Sequence, residues 1–191
     1  MTTNRMEAFS DGVMAIIITI MVLELRAPHE ATVAALRPLA PVFISYVLSF
    51  IYLGIYWNNH HHLMHAVDHV NGRVLWANLH LLFWLSLVPF ATAWMGENHF
   101  SSIPVMIYGL VLLAASIAYY ILTRALVALH GKESTLATAI GKDFKGQFST
   151  AIYLVAVLIA PWLRWVAFAL YVFVAIIWLV PDKRIERNLT A

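Results

Sequence analysis

Hydrophobic residues recur along this chain in long runs that are separated by short polar connections. Such runs are typical of membrane-spanning helices, because a helix needs roughly 20 apolar residues to cross the hydrocarbon core of a bilayer. The runs cover residues 6–25, 39–58, 74–95, 104–127, 147–161 and 165–181. We therefore expect an all-α integral membrane protein with six transmembrane helices, which form a single domain over residues 1–191.

The last two runs are short, and a Pro-Trp-Leu-Arg segment at residues 161–164 separates them. They are interpreted either as two helices joined by a tight turn or as one interrupted segment. Arg164 would lie in the middle of the membrane in the second case, which is energetically costly. Two separate helices are therefore favoured.

The composition supports a membrane protein. Hydrophobic residues make up 62% of the chain and charged residues 12%, whereas a soluble domain has about 25% charged residues. The mean hydropathy is +0.78. Cysteine is absent, which excludes disulfide and thiolate chemistry, and a net charge of +2 is too small to suggest a nucleic-acid partner.

The basic residues predict the orientation in the membrane, because cytoplasmic loops carry an excess of Lys and Arg. With six spans, three basic residues lie on the far side: Arg26, Arg37 and Arg164. The other nine lie on the side of the two termini, at Arg5, Arg73, Arg124, Lys132, Lys142, Lys145, Lys183, Arg184 and Arg187. Both termini are therefore expected in the cytoplasm.

The first run divides into two faces when it is placed on a helix. Several of its residues fall within about 40° of one line, namely Arg5, Phe9, Gly12, Ile16, Ile20 and Leu23. Ser10 and Asp11 fall on the opposite side. The run thus combines an apolar stripe with a carboxylate that needs polar partners near the membrane boundary.

Candidate partners for Asp11 occur at the end of the second run and the start of the third, which the topology brings to the same depth. They are Trp57, His60, His61, Asn78 and His80, with Arg5 or Arg73 as a countercharge. We expect a polar network that fixes the first helix against the second and third. The alternative is that Asp11 is only hydrated at the interface.

The histidines raise the question of a metal site. His61 and His65, and also His65 and His69, have the i, i+4 spacing that can chelate a transition metal on a helix. Asp68 is the nearby carboxylate and cysteine is absent, so no metal site is expected. No Walker loop, Rossmann glycine pattern, nucleophile elbow or HExxH motif is present, and the chain is therefore not expected to be an enzyme.

Specific motifs support a family resemblance. Residues 5–11 match the pattern RxxxFSD, and residues 57–60 form a Trp-x-x-His segment. Asn78-Leu79 and the Pro-Phe-Ala-Thr segment at residues 89–92 support the same resemblance. In these motifs the chain resembles the transmembrane-protein-175 family of potassium channels. The resemblance implies the prokaryotic type, with one six-helix repeat, assembly as a homotetramer and a bacterial plasma membrane. It also implies a pore lined by the first helix, with an apolar constriction instead of a TVGYG filter.

The apolar stripe agrees with that implication. Ile16, Ile20 and Leu23 are spaced i, i+4 and i+7, so four copies around an axis would form three apolar rings. Thr19 lies one step off the line and is the candidate for ion contact. The stripe could instead pack against helices of its own subunit, and the Thr19 hydroxyl could bond to the Ala15 carbonyl within its own helix.

Two functions follow from these patterns. The first is a passive potassium-permeable channel with no cofactor besides the permeant K⁺. The second is a proton- or metal-linked secondary transporter that uses Asp11 and the histidines. Transporters tend to show internal repeats and midplane charge, and neither is visible here, which favours the channel.

Overall fold

The computed structural model describes residues 3–131, 134–140 and 143–179, and these residues form helices and connections without strands. The prediction of an all-α protein is thus confirmed. A 3₁₀ helix over Val33–Leu39 leads into the second helix. The α-helices are α1 (Asn4–Leu23), α2 (Ala40–His65), α3 (Gly72–Ser86), α4 (Val88–Glu97), α5 (Ser102–His130), α6 (Thr135–Ile140), α7 (Phe144–Ile159) and α8 (Arg164–Leu179).

Four helical stretches in the described residues are long and apolar enough to cross a membrane. They cover residues 4–23, 33–65, 72–97 and 102–130. The helices α7 and α8 have 16 residues each, which gives a rise of about 24 Å against a hydrocarbon core of about 30 Å. The predicted count of six spans therefore depends on these two shorter helices.

The third predicted span is two helices with a break at Leu87. Pro89 has no amide hydrogen to donate to the carbonyl of Leu85, and its ring crowds that carbonyl. At the break, the Leu87 amide donates to the carbonyl of Trp84, three residues back, at 3.2 Å. The apolar run at 74–95 is thus kinked and not one straight helix.

The short helices α7 and α8 form an antiparallel hairpin. The amides of Trp162 and Leu163 donate to the carbonyl of Ile159 at 3.0 and 2.8 Å, which closes the turn. Trp178, near the end of α8, donates to the hydroxyl of Ser149, near the start of α7, at 2.8 Å. Two helices joined by a tight turn are confirmed, and the alternative of one interrupted segment is wrong.

The basic residues behind the predicted orientation are only partly described. Lys132, Lys142, Lys183, Arg184 and Arg187 lie outside the described residues. The described part of the connection after α5 contains the short helix α6. The placement of both termini in the cytoplasm therefore still rests on the amino-acid sequence.

Buried hydrogen bonds connect α2 to its neighbours at mid-bundle. The Ser49 hydroxyl lies 2.7 Å from that of Thr92 on α4 and 3.0 Å from that of Tyr108 on α5. One turn later, the Tyr52 hydroxyl donates to the backbone carbonyl of Tyr171 on α8 at 2.6 Å. Such side-chain bonds stabilise helix association where the surrounding lipid offers no hydrophobic driving force.

Gly96 permits the close approach of α4 to α2, which generates a stability prediction. A Cβ atom at Gly96 would lie 2.7 Å from the Cα of Val42 and 2.5 Å from the Ser45 hydroxyl. Gly96→Ala must push the two backbones apart, at an expected cost of about 1–3 kcal/mol. We expect a lower melting temperature in detergent, measured by fluorescence-detected size exclusion after heating.

The matched control is Gly54→Ala, which lies inside α2 and whose Cβ would meet nothing within 4 Å. This variant should melt no lower than the wild type, since alanine is the better helix former. Equal melting temperatures for the two variants would contradict the role assigned to Gly96.

Candidate functional site

One face of α1 packs against the rest of the subunit. It contacts α2, α3 and α4, and its buried side chains are Met6, Ser10, Met14, Ile17 and Met21. Four of these five residues are apolar. The remaining one, Ser10, is the polar group that the packing must satisfy.

The opposite face of α1 is bare. Ile16 is 59% exposed, Ile20 44% and Leu23 78%, and Phe9 on the same side is also exposed. These side chains are exposed in the subunit, which disfavours the alternative that the stripe packs within its own subunit. The stripe is free to meet lipid, water or another copy of the chain.

Thr19 lies beside this stripe and is exposed. Its hydroxyl donates to the carbonyl of Ile16 at 2.8 Å, one residue away from the predicted Ala15 carbonyl. Because the hydroxyl proton is used within the helix, the oxygen lone pairs remain available on the exposed side. Thr19 can therefore offer an acceptor to a cation without losing its own bond.

A fully buried chain of hydrogen bonds holds the other face of α1. The Asn78 amide of α3 donates to the Ser10 hydroxyl at 2.9 Å, and Ser10 donates to the Met6 carbonyl at 2.8 Å. His60 Nε2 of α2 lies 2.8 Å from the Asn78 oxygen. Since that oxygen only accepts, His60 Nε2 is the donor. Three helices thus meet at one polar junction.

Asp11 is bonded to one of its predicted partners, Trp57. The indole nitrogen of Trp57 donates to Asp11 Oδ1 at 3.0 Å, and the carboxylate is half-buried. Adjacent residues on a helix point about 100° apart, so Ser10 faces the junction with α3 while Asp11 faces α2. Asp11 is therefore bonded at the edge of the bundle, and the interpretation that it is merely hydrated is wrong.

The other predicted partners of Asp11 lie elsewhere. His80 is exposed, and its Nε2 accepts from the Trp84 indole one turn later at 3.0 Å. Arg5 and Arg73 are exposed, and neither forms an ion pair with Asp11 among the described residues. The expectation that Asp11 bonds to the histidines and has Arg5 or Arg73 as a countercharge is therefore corrected.

Glu7 is the residue that the sequence reasoning missed. His61 Nδ1 lies 3.0 Å from Glu7 Oε1, and His65 Nε2 lies 3.9 Å from the same oxygen. Trp57 stacks on His61 with ring centroids 6.0 Å apart. Glu7 lies one turn before Asp11, so their shared face on α1 was the available signal for a second carboxylate beside α2.

Comparisons with known proteins match these elements. Residues 5–89 match the sequence profile of the family described as endosomal/lysosomal potassium channel TMEM175, a segment that holds α1, α2, α3 and the start of α4. A potassium channel of Chryseobacterium sp. (strain P1-3) is 52% identical over 189 residues, 99% of this chain and 98% of that protein. The chain belongs to the TMEM175 family. Its resemblance to that family is thus confirmed.

The TMEM175 fold is shown by a solved structure as well. The crystal structure of a lysosomal potassium-selective channel TMEM175 homolog from Chamaesiphon minutus matches with a TM-score of 0.81 and 29% identity, over 93% of this chain and 96% of that chain. Human TMEM175, named an endosomal/lysosomal proton channel, is 36% identical over 75 residues, 33% of this chain and 15% of that protein.

Membership in the TMEM175 family also decides two broader predictions. The family and the matched relatives are named as ion channels, so the prediction that this protein is not an enzyme is confirmed. Several long apolar helices in a channel family make it an integral membrane protein.

The buried junction leads to a prediction for Asn78. Replacing it with alanine removes the acceptor of the buried His60 Nε2 and the donor to Ser10, whose hydroxyl keeps its bond to the Met6 carbonyl. The expected cost is about 2 kcal/mol or more. For a chain of this size that corresponds to a melting temperature lower by roughly 4–8 °C. The control is His80→Ala, which removes an exposed side chain that is bonded within its own helix. This variant should have the same melting temperature as the wild type. Identical melting of Asn78→Ala and His80→Ala would refute the role of the junction.

Proposed function

We propose that this protein is a potassium-permeable channel in which four copies place α1 around a common axis. The observation that carries the proposal is the bare stripe of α1, with Ile16, Ile20 and Leu23 uncovered in a helix whose other face is fixed. A relative that matches nearly the whole chain is named a potassium channel, and the matched crystal structure is that of a potassium-selective channel homolog. Permeation requires no cofactor besides the permeant K⁺.

The proposed subunit is one six-helix channel domain over residues 1–191. Its spans are α1, α2, the kinked pair α3–α4, α5, α7 and α8, and the kink and the short hairpin are both compatible with a bundle packed in a tetramer. The excess of Lys and Arg places both termini in the cytoplasm. Matched relatives from Chryseobacterium and Chamaesiphon support a bacterial plasma membrane as its location.

In the proposed pore, Ile16, Ile20 and Leu23 form successive apolar rings. Such rings resist the entry of hydrated ions and close a pore by dewetting when they are narrow. Thr19 adds a ring of hydroxyl oxygens beside them. No charged residue lies between Asp11 and Glu24 on this helix, so discrimination between K⁺ and Na⁺ depends on weak oxygen contacts and on dehydration, and it is modest.

The polar residues of the first three helices serve as an anchor for α1 in this proposal. Ser10, Asn78 and His60 provide the buried junction, and Asp11 with Trp57 and Glu7 with His61 provide the edge contacts. Asp11 is a structural residue here and does not lie on the ion path, because it points about 140° away from Ile16. His80, Arg5 and Phe9 lie outside this set of contacts.

The transporter alternative is not favoured. The matched bacterial and vertebrate relatives are named as channels, and no observation on the described residues requires a carrier. The functional test is to reconstitute the purified protein in planar bilayers under a K⁺ gradient. We expect unitary currents that reverse near the K⁺ equilibrium potential. Flux without unitary currents, coupled to a proton or metal gradient, would establish the carrier instead.

The constriction is tested by Ile16→Asn. An amide on the stripe attracts water into the ring, so we expect a several-fold larger K⁺ current or a loss of discrimination against Na⁺ in bilayer recordings. The control is Val22→Asn, which introduces the same amide at an exposed position of α1 that is about 120° off the stripe. If both variants conduct as the wild type does, Ile16 does not line the pore.

The hydroxyl ring is tested by Thr19→Val, which removes the hydroxyl and keeps the shape of the side chain. We expect a lower K⁺/Na⁺ permeability ratio, read from reversal potentials under mixed-ion conditions, because valine offers no oxygen to a partly dehydrated ion. Ile20→Val is the control, since it changes the size of a stripe residue without removing a hydroxyl. A ratio that stays at the wild-type value in Thr19→Val would count against the assignment.

A further inference from the structure

Three side chains with metal-ligating atoms converge where α1 begins and α2 ends. They are Glu7, His61 and His65, and one ligand atom from each lies within 4.8 Å of the other two. His61 Nδ1 is 3.0 Å and His65 Nε2 is 3.9 Å from the same carboxylate oxygen of Glu7. The two imidazole rings meet edge to face with centroids 4.3 Å apart.

This arrangement differs from an ordinary surface hydrogen bond. The contact between Glu7 and His61 is satisfied as a hydrogen bond, but His65 approaches the same oxygen without one. Two imidazole nitrogens and a carboxylate oxygen are typical ligands of Zn²⁺, which they bind at about 2.0–2.2 Å. Ligand atoms bound to one tetrahedral ion lie roughly 3.3 Å apart at these bond lengths, so small side-chain rotations bring the three atoms into place.

The surroundings of the three side chains also suit a metal. The Glu7 side chain is 21% exposed and the His65 side chain is 57% exposed, which leaves a path from water to the ligands and room for a water in a fourth position. Trp57 stacks on His61 and is itself held by Asp11. This contact restrains the orientation of the His61 ring, as outer contacts of metal ligands commonly do.

We propose that Glu7, His61 and His65 form a binding site for a divalent transition-metal ion, with Zn²⁺ as the best-matched ion. The sequence did not predict such a site, because cysteine is absent and the only carboxylate near these histidines along the chain is Asp68. The fold supplies a carboxylate from α1 instead. A bound ion would tie the first turn of α1 to the last turn of α2, since its ligands come from both helices.

The direct test is calorimetric titration of ZnCl₂ into the purified protein in detergent at pH 7.5, with MgCl₂ as the control ion. We expect saturable binding of one Zn²⁺ per subunit and none of Mg²⁺, which prefers oxygen ligands. His65→Ala should weaken Zn²⁺ binding at least about tenfold, and Glu7→Gln should weaken it as well. His62→Ala is the matched control, because His62 neighbours the cluster and contributes no ligand.

A spectroscopic measurement checks the geometry independently of affinity. Co²⁺ bound by two imidazoles and a carboxylate should give the visible absorption of a tetrahedral or five-coordinate site, lost in His65→Ala and retained in His62→Ala. Wild-type protein that binds no Zn²⁺ saturably would overturn the site. So would binding that survives in His65→Ala and disappears in His130→Ala, since His130 pairs with His69 elsewhere on the subunit.

The consequence for conduction rests on the proposed channel function. Because α1 carries the stripe, tying its first turn to α2 should change the open probability when Zn²⁺ is added on that side, and His65→Ala should abolish the change. Zn²⁺ binding without any change in current would overturn this coupling. Absence of K⁺ current in the zinc-free protein would contradict the channel function and would leave the calorimetric result standing.

Discussion

The rotation of α1 about its own axis is the constraint on which the rest of the structure depends. The buried bonds from Asn78 to Ser10 and from His60 to Asn78 fix that rotation, because leaving a buried polar group without its hydrogen-bond partner costs about 1–3 kcal/mol. A turn of α1 by one residue would bury Asp11 in place of Ser10 and break the junction. With Ser10 held inward, Ile16, Ile20 and Leu23 are directed outward and remain bare.

A second set of contacts holds the N-terminal part of α1 against α2. Glu7 and Asp11 lie one turn apart on α1, and Trp57 and His61 lie one turn apart on α2, so the two helices meet as two successive pairs. The neutral groups form the buried junction and the carboxylates lie at its half-exposed edge. This division follows from the cost of charge in a bilayer, which is lowest near the interface.

The helices themselves were largely predictable, because long apolar runs and helical spacing depend on local sequence. The kink at Leu87 could have been predicted from Pro89. The bare stripe followed from the spacing of Ile16 and Ile20. Trp57 was among the predicted partners of Asp11. The choice of Trp57 over the histidines did not follow, since it depends on how α2 is rotated, and the wheel of α1 alone does not contain that information. The shared face of Glu7 and Asp11 on α1 could be read from the sequence, whereas the meeting of Glu7 with His61 and His65 depended on the same rotation of α2.

The central claim is that the bare stripe of α1 faces water in a pore and not lipid. The absence of cysteine in the chain permits a clean test with a charged, water-soluble methanethiosulfonate reagent on Leu23→Cys, compared with Leu158→Cys on α7, which is also well exposed in the subunit. We predict that the reagent changes the K⁺ current of Leu23→Cys within one application and leaves that of Leu158→Cys unchanged. A Leu23→Cys current as insensitive as that of Leu158→Cys would contradict the account.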